Sequence, residues 1–212
     1  MRNKVNKFSL LFILAFFSLA FYQDVNAQSP IKNSFNVPAS RLTFFELDEK
    51  GHLKFNDEGL PYESRKEIVT IDVQLSPENT AFFVIDPWNN MPSDFLNKYF
   101  GKITENYILP LIERANEKGF PVYIFTSDCK TIKPVPNSCE IPKKFYLMAK
   151  KYPKVQIVYW QDIDLPVFVT SLRDKGIFNL IYTGFASNMC VIGRPAGMIN
   201  MVQQGFSLYF AK

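Results

Sequence analysis

The chain has 212 residues, 47% of them hydrophobic and 21% charged, which excludes a disordered polymer, a collagen-like fibre and a multi-pass membrane protein. Its 24 Lys and Arg against 20 Asp and Glu leave +4, and Arg2, Lys4 and Lys7 against Asp24 place two of those four charges within the first 27 residues. The remainder, near +2, contains no Lys/Arg run of five, so nothing marks a nucleic-acid partner.

A basic start (Met1 to Lys7), an apolar run (Phe8 to Tyr22) and Val25-Asn26-Ala27, with small residues where a signal peptidase inspects the chain, predict a cleaved export signal over residues 1–27. The apolar run is shorter than the roughly 20 residues that a spanning helix needs. The mature chain is therefore expected to begin at Gln28, in the periplasm or outside the cell, with no membrane attachment. In such an oxidising compartment Cys129 and Cys139 flank a turn-rich segment that allows a disulfide contributing about 3 kcal/mol, or leaves two thiols. Cys190 has no partner near it in sequence.

Residues 28–78 read as an addition to the main domain: an extended leader over 28–40, then a β-hairpin in which Arg41–Leu47 and His52–Phe55 flank Asp48-Glu49-Lys50-Gly51. From residue 79 the pattern changes. Ala81–Ile85 is a continuous apolar run ending in Asp86-Pro87, as expected of a strand buried on both faces. A helix follows, with Ile108, Leu111, Ile112 and Ala115 on one face and Lys118-Gly119 at its close. Val122–Phe125, Val155–Tyr159, Phe178–Thr183 and Phe206–Phe210 read as strands. Lys143–Lys151, Leu165–Lys175 and Cys190–Gln204 read as helices. This alternation predicts, over 79–212, a three-layer α/β/α Rossmann-like sandwich around a mostly parallel sheet.

Ligands of such sheets bind outside the carboxyl ends of the strands. Asp86 closes the first core strand, and Cys190 follows Phe178–Thr183 through one turn. A cysteine entering a helix feels the dipole and free N–H groups, which lower a thiol pKa, and a carboxylate on a neighbouring strand end can take its proton. The reading against this is that a helix-entry cysteine is commonly a small core residue and Asp-Pro a turn former. Joint placement favours chemistry.

The stretches Thr80–Asn90 and Ile181–Val191, with Ile108–Ile112 and Gly119–Thr126 between them, resemble the isochorismatase-like cysteine hydrolases. The resemblance covers residues 79–212. It implies a six-stranded parallel sheet, an amidase-type hydrolase of small molecules, and assembly into homo-oligomers. By position Asp86 matches the general base and Cys190 the nucleophile, while the amides of Ala186 and Cys190 match the oxyanion hole, with a cis peptide at Phe185-Ala186. The chain departs from the family in lacking its usual lysine past the third core strand, where Trp160 or Gln161 stands. Arg194 can supply a cation from one turn beyond Cys190, or can be a solvated helix residue. Pro195 lies inside the last predicted helix, where it should kink the helix or delay its start. The chain also stops at Lys212, where relatives commonly add a helix, so it reads as either a fragment or a shortened variant.

Trp88, Phe185 and Met189 are expected to wall a substrate pocket, with Trp160 capping it. The only histidine, His52, lies in the β-addition, so no metal is expected, and no phosphate-binding glycine motif calls for a cofactor. Two readings follow. One is an exported cysteine hydrolase of a small amide, ureide or related substrate. The other is a binding or assembly protein on the same scaffold, without turnover.

Overall fold

The structure is a computed structural model that describes residues 33–46, 48–49, 54–59, 62–88, 93–127 and 141–211. The predicted signal segment, His52, Cys129 and Cys139 lie outside the described residues. Its centre is β3 (Thr80–Ile85), in which Ala81, Phe83, Val84 and Ile85 have no exposed surface. β4 (Val122–Thr126) and β6 (Asn179–Gly184) flank it, β5 (Val155–Tyr159) lies beyond β4, and β7 (Ser207–Phe210) beyond β6. Every pairing in this five-stranded sheet is parallel. The resemblance implied six strands; the described residues end at Ala211 and supply five.

Period-2 alternation sends successive β3 side chains to opposite faces, and each face carries its own core. On one, Phe83, Ile85, Tyr123, Phe125, Leu180 and Tyr182 pack with Val169 and Leu172 of the helix Leu165–Asp174. On the other, Val84, Val122 and Ile124 pack with Ile108, Ile112, Phe145 and Met148. The helix carrying Ile108 begins earlier than its apolar spacing indicates. It starts at Asp94 behind a Ser93 cap, widens into a π turn at Thr104–Ile108 and continues as Leu109–Glu117. Pro110 explains the widening: it lacks an N–H and crowds the carbonyl four residues back, and Leu109 N–H reaches instead to the Thr104 carbonyl.

The β-addition is longer than expected and paired differently. β1 (Phe35–Phe45) runs antiparallel to β2 (Glu63–Leu75), from Phe35 opposite Leu75 to Phe45 opposite Glu63, so residues 35–40 are strand rather than leader. Among the described residues of the predicted 41–55 hairpin, Lys54 N–H donates to the Glu46 carbonyl at 2.9 Å. The long ladder wins because it forms many more backbone bonds and docks its end, where Phe35 meets Phe120 with centroids 5.8 Å apart and Leu75 is buried.

The last predicted helix is broken in two, Cys190–Gly193 and Met198–Gln203. Pro195 disfavours helical backbone at the residue before it, and Arg194 accordingly adopts φ −67°, ψ 164°. Two glycines allow the close approaches nearby. Gly184, at φ +121°, lies opposite Ile85, and a Cβ there would sit 2.0 Å from the Ile85 carbonyl oxygen. At Gly197 a Cβ would come within 2.7 Å of the Ile192 oxygen. Gly184→Ala should therefore destabilise the fold by about 2–4 kcal/mol, the range for forbidden backbone plus a core clash. Urea denaturation checks this, and a loss below about 0.5 kcal/mol would refute the close approach.

Candidate active site

Asp86 ends β3 with its N–H donating to the Phe125 carbonyl at 2.9 Å and its backbone turned to φ +44°. Pro87 follows, and Trp88 N–H returns to the Asp86 carbonyl at 2.7 Å. The turn carries Asp86 off the sheet plane, yet its side chain stays 0% exposed. β6 delivers the second half of the site. Because Gly184 lies against Ile85, the segment leaving β6 passes directly beside Asp86, with Phe185 N–H bonded to the Ile85 carbonyl at 3.0 Å. Ala186 turns at φ +54°, and its carbonyl accepts from the N–H groups of Met189 (2.9 Å) and Val191 (3.3 Å). Cys190 opens the four-residue helix that follows.

No cis peptide occurs among the described residues, so the cis bond expected at Phe185-Ala186 is absent and the left-handed backbone of Ala186 makes the turn instead. Among the described residues neither Ala186 N–H nor Cys190 N–H has a backbone acceptor. These are the two amides assigned to the oxyanion hole.

Arg194 is the cation of the site. Extended backbone before Pro195 takes it out of the helix. Its carbonyl is then held by Gly197 N–H at 2.7 Å and the Asn200 side-chain amide at 3.0 Å, while the buried Tyr182 hydroxyl donates to the Ala196 carbonyl at 2.9 Å. So fixed, Arg194 lies with its guanidinium 5.4 Å from the Trp160 ring centre and its Nε 3.6 Å from Asp86 Oδ2. Sequence spacing placed Arg194 in the right turn; Pro195 was the signal that it could leave the helix surface. Tyr182 and Asn200 had no such signal.

Trp160 follows β5 and is 6% exposed, stacked on Phe125 with centroids 4.8 Å apart and planes 20° from parallel. Its indole Nε1–H donates to Asp86 Oδ1 at 2.7 Å. The side chain expected to cap a pocket thus lies beneath the carboxylate, because its N–H is the donor that this buried oxygen requires. The other expected walls divide. Phe185 is buried and stacks on Phe100 at 4.2 Å, as core packing. Met189 is 67% exposed on the turn. Trp88 is half-buried against the cluster that contains Cys190 and Trp160, its Nε1 buried without a partner.

Three side chains act on the Asp86 carboxylate: Trp160, the Cys190 thiol and Arg194. Burial is the strongest influence and raises the Asp86 pKa, while all three neighbours oppose it. Neither Cys190 nor Arg194 closes a short bond to Oδ2, which stays buried without a partner at hydrogen-bond geometry. Cys190 is 8% exposed, and its thiol is pushed up to about 11, first by burial and then by the adjacent Asp86 carboxylate, with Arg194 opposing. This reverses the expected lowering, since a four-residue helix has little dipole and burial and the Asp86 charge both disfavour the thiolate. Among the described residues no group of three or more His, Cys, Asp or Glu could hold a metal.

Neither a protein-family model nor a curated protein matches the chain. Solved structures do. A crystal structure of the nicotinamidase SaPncA from Staphylococcus aureus superposes with TM-score 0.45 and 18% identity, over 62% of this chain and 78% of that one. The MAR1 ribonuclease from Caenorhabditis elegans superposes with TM-score 0.42 and 18% identity, over 65% of this chain and 64% of that one.

The charged side chains beside Cys190 fix the direction of two shifts. Asp86→Asn removes a negative charge and should bring the Cys190 pKa down from about 11 toward the ordinary value near 8.5, whereas Arg194→Met should raise it. The rate of iodoacetamide labelling against pH, read by peptide mass spectrometry, measures both. A Cys190 profile that neither substitution moves would contradict the arrangement.

Proposed function

We propose that the chain is an exported cysteine-dependent hydrolase of small molecules bearing an amide, ureide or related carbonyl, with residues 79–212 as its catalytic domain and 1–27 as a removed signal. The observation that carries this reading is the meeting of Asp86, Cys190 and Arg194 at the carboxyl ends of β3 and β6, about a hundred positions apart in the chain. The resemblance of residues 80–90 and 181–191 to the isochorismatase-like hydrolases supports the same assignment.

At rest Cys190 is a thiol and Asp86 the group next to it with an unfilled acceptor oxygen. As Sγ bonds to the substrate carbonyl carbon, its proton passes to Asp86. Charge that begins on the carboxylate ends on the carbonyl oxygen, where the N–H groups of Ala186 and Cys190 receive it. Collapse of the tetrahedral adduct breaks the bond to the leaving group, and Asp86 returns the proton to that group. Water, deprotonated by Asp86, then attacks the thioester; the second adduct collapses to the acid product as its C–S bond breaks, and the departing Cys190 sulfur takes the proton back from Asp86. Arg194 keeps a positive charge beside Asp86 whether or not the proton is there, which is the part expected of the family lysine. A binding or assembly protein was suggested by the missing lysine alone; a cation within 4 Å of the carboxylate favours the catalytic reading.

Screening small amides, ureides and esters for hydrolysis tests the proposal. Cys190→Ala should abolish turnover, and Asp86→Asn should reduce kcat by about 10²–10⁴-fold, the usual range for a general base. Activity should fall as pH drops through the raised Asp86 pKa, because protonation removes the base. Hydrolysis that survives in Cys190→Ala, or ligand-induced thermal stabilisation with no product formed, would exclude it.

A further inference from the structure

Trp160 stands where the family's lysine was looked for, and its contacts divide that residue's work in two. A lysine brings one positive charge and several donors. An indole brings one neutral donor and an aromatic face. Here the donor is spent on Asp86 Oδ1 at 2.7 Å, and the face lies 5.4 Å from the Arg194 guanidinium. The ring has little freedom, since Phe125 stacks against it and the residue is 6% exposed. Phe125 is also the residue whose carbonyl accepts the Asp86 backbone N–H, so the carboxylate and the ring that holds it refer to the same strand.

We propose that Trp160 is the positioning residue of the site: its N–H fixes Oδ1 of Asp86, which turns Oδ2 toward Cys190, and its ring seats Arg194 beside that second oxygen. The proposal rests on the hydrolase reading and deepens it. A carboxylate held through one oxygen has a defined plane, and the remaining oxygen can serve a single proton donor. Because the indole N–H does not ionise near neutral pH, Trp160 never competes with Cys190 in giving a proton to Asp86. Because cation–π attraction needs the guanidinium close to the ring, the same side chain sets where the charge stands. One residue thereby couples the base to its counter-ion, and neither can move without the other.

Trp160→Phe keeps an aromatic face for Phe125 and Arg194 and deletes only the N–H. With aspartate carboxyl carbons labelled with ¹³C, the Asp86 resonance is identified by its loss in Asp86→Asn and followed against pH. In Trp160→Phe its midpoint should rise by about one to two pH units, the worth of a hydrogen bond to a charged group. Trp160→Leu removes the ring as well, and in that background Arg194→Met should no longer move the Cys190 labelling profile, because the cation has already lost its seat. An unchanged Asp86 midpoint in Trp160→Phe, or a full Arg194→Met shift in Trp160→Leu, overturns the proposal.

Should these variants fail to fold, the native protein still answers. It has two tryptophans and hence two indole N–H resonances. The one lost in Trp88→Phe is set aside, and the other should follow the Asp86 titration; a resonance insensitive to that titration counts against the proposal. If Asp86→Asn leaves the Cys190 profile unmoved while the indole tracks Asp86, the hydrolase reading fails and the Trp160–Asp86 linkage stands.

Discussion

A fully buried carboxylate is the constraint around which this molecule is organised. Withdrawing an aspartate from water costs several kcal/mol even after relaxation, unless charge and hydrogen bonds replace the lost hydration. Asp86 lies at the end of the central strand with no exposed surface, and each element that comes near it brings a compensating group. The turn after β5 brings the Trp160 N–H, the turn after β6 brings the Cys190 thiol, and the break before the last helix brings Arg194. The compensation is incomplete, since one oxygen has no close partner. An acceptor left open beside a thiol is where a proton could be taken at little reorganisation, so the residual cost of the fold falls where the proposed mechanism would use it.

Parallel strand order makes the meeting possible. Strands β5, β4, β3 and β6 all run one way, so their carboxyl ends share one rim, and residues far apart in the chain become neighbours there. Rim placement alone brings the backbones together to within several ångströms; the rest is local stereochemistry. Gly184 admits β6 against Ile85, Ala186 turns the chain through left-handed backbone, and Pro195 forces Arg194 out of helical conformation. Tyr182 and Asn200 then tie the segment 194–197 to the core, so the cation is delivered by an ordered loop.

The sheet and helices over 79–212 were legible because each strand is a short apolar run and each helix has one apolar face, signals that depend on local periodicity. The placement of Asp86 and Cys190 at one rim was legible because both follow strand ends, where ligands gather in this architecture. What escaped depends on contacts between distant segments. The β1–β2 pairing was not read although Phe35, Val37 and Ala39 alternate with Asn36, Pro38 and Ser40, because Pro38 interrupts the run and the partner strand lies past an intervening turn that is itself a good hairpin signal. The direction of the Cys190 shift was misread because the helix it opens was assumed to be long; once Pro195 shortens it, burial and the Asp86 charge decide. Trp160 was noticeable for standing where a lysine was sought, but its bond to the Asp86 carboxylate depends on a contact across 74 residues that no local pattern carries.

The central claim is that Cys190 rests as a neutral thiol whose proton faces Asp86. Infrared difference spectroscopy reads it most directly, since the S–H stretch falls in a window free of other protein bands. At neutral pH the account predicts an S–H band that vanishes in Cys190→Ala and shifts in Asp86→Asn. A spectrum with no S–H band assignable to Cys190, or one that Asp86→Asn leaves in place, would contradict it.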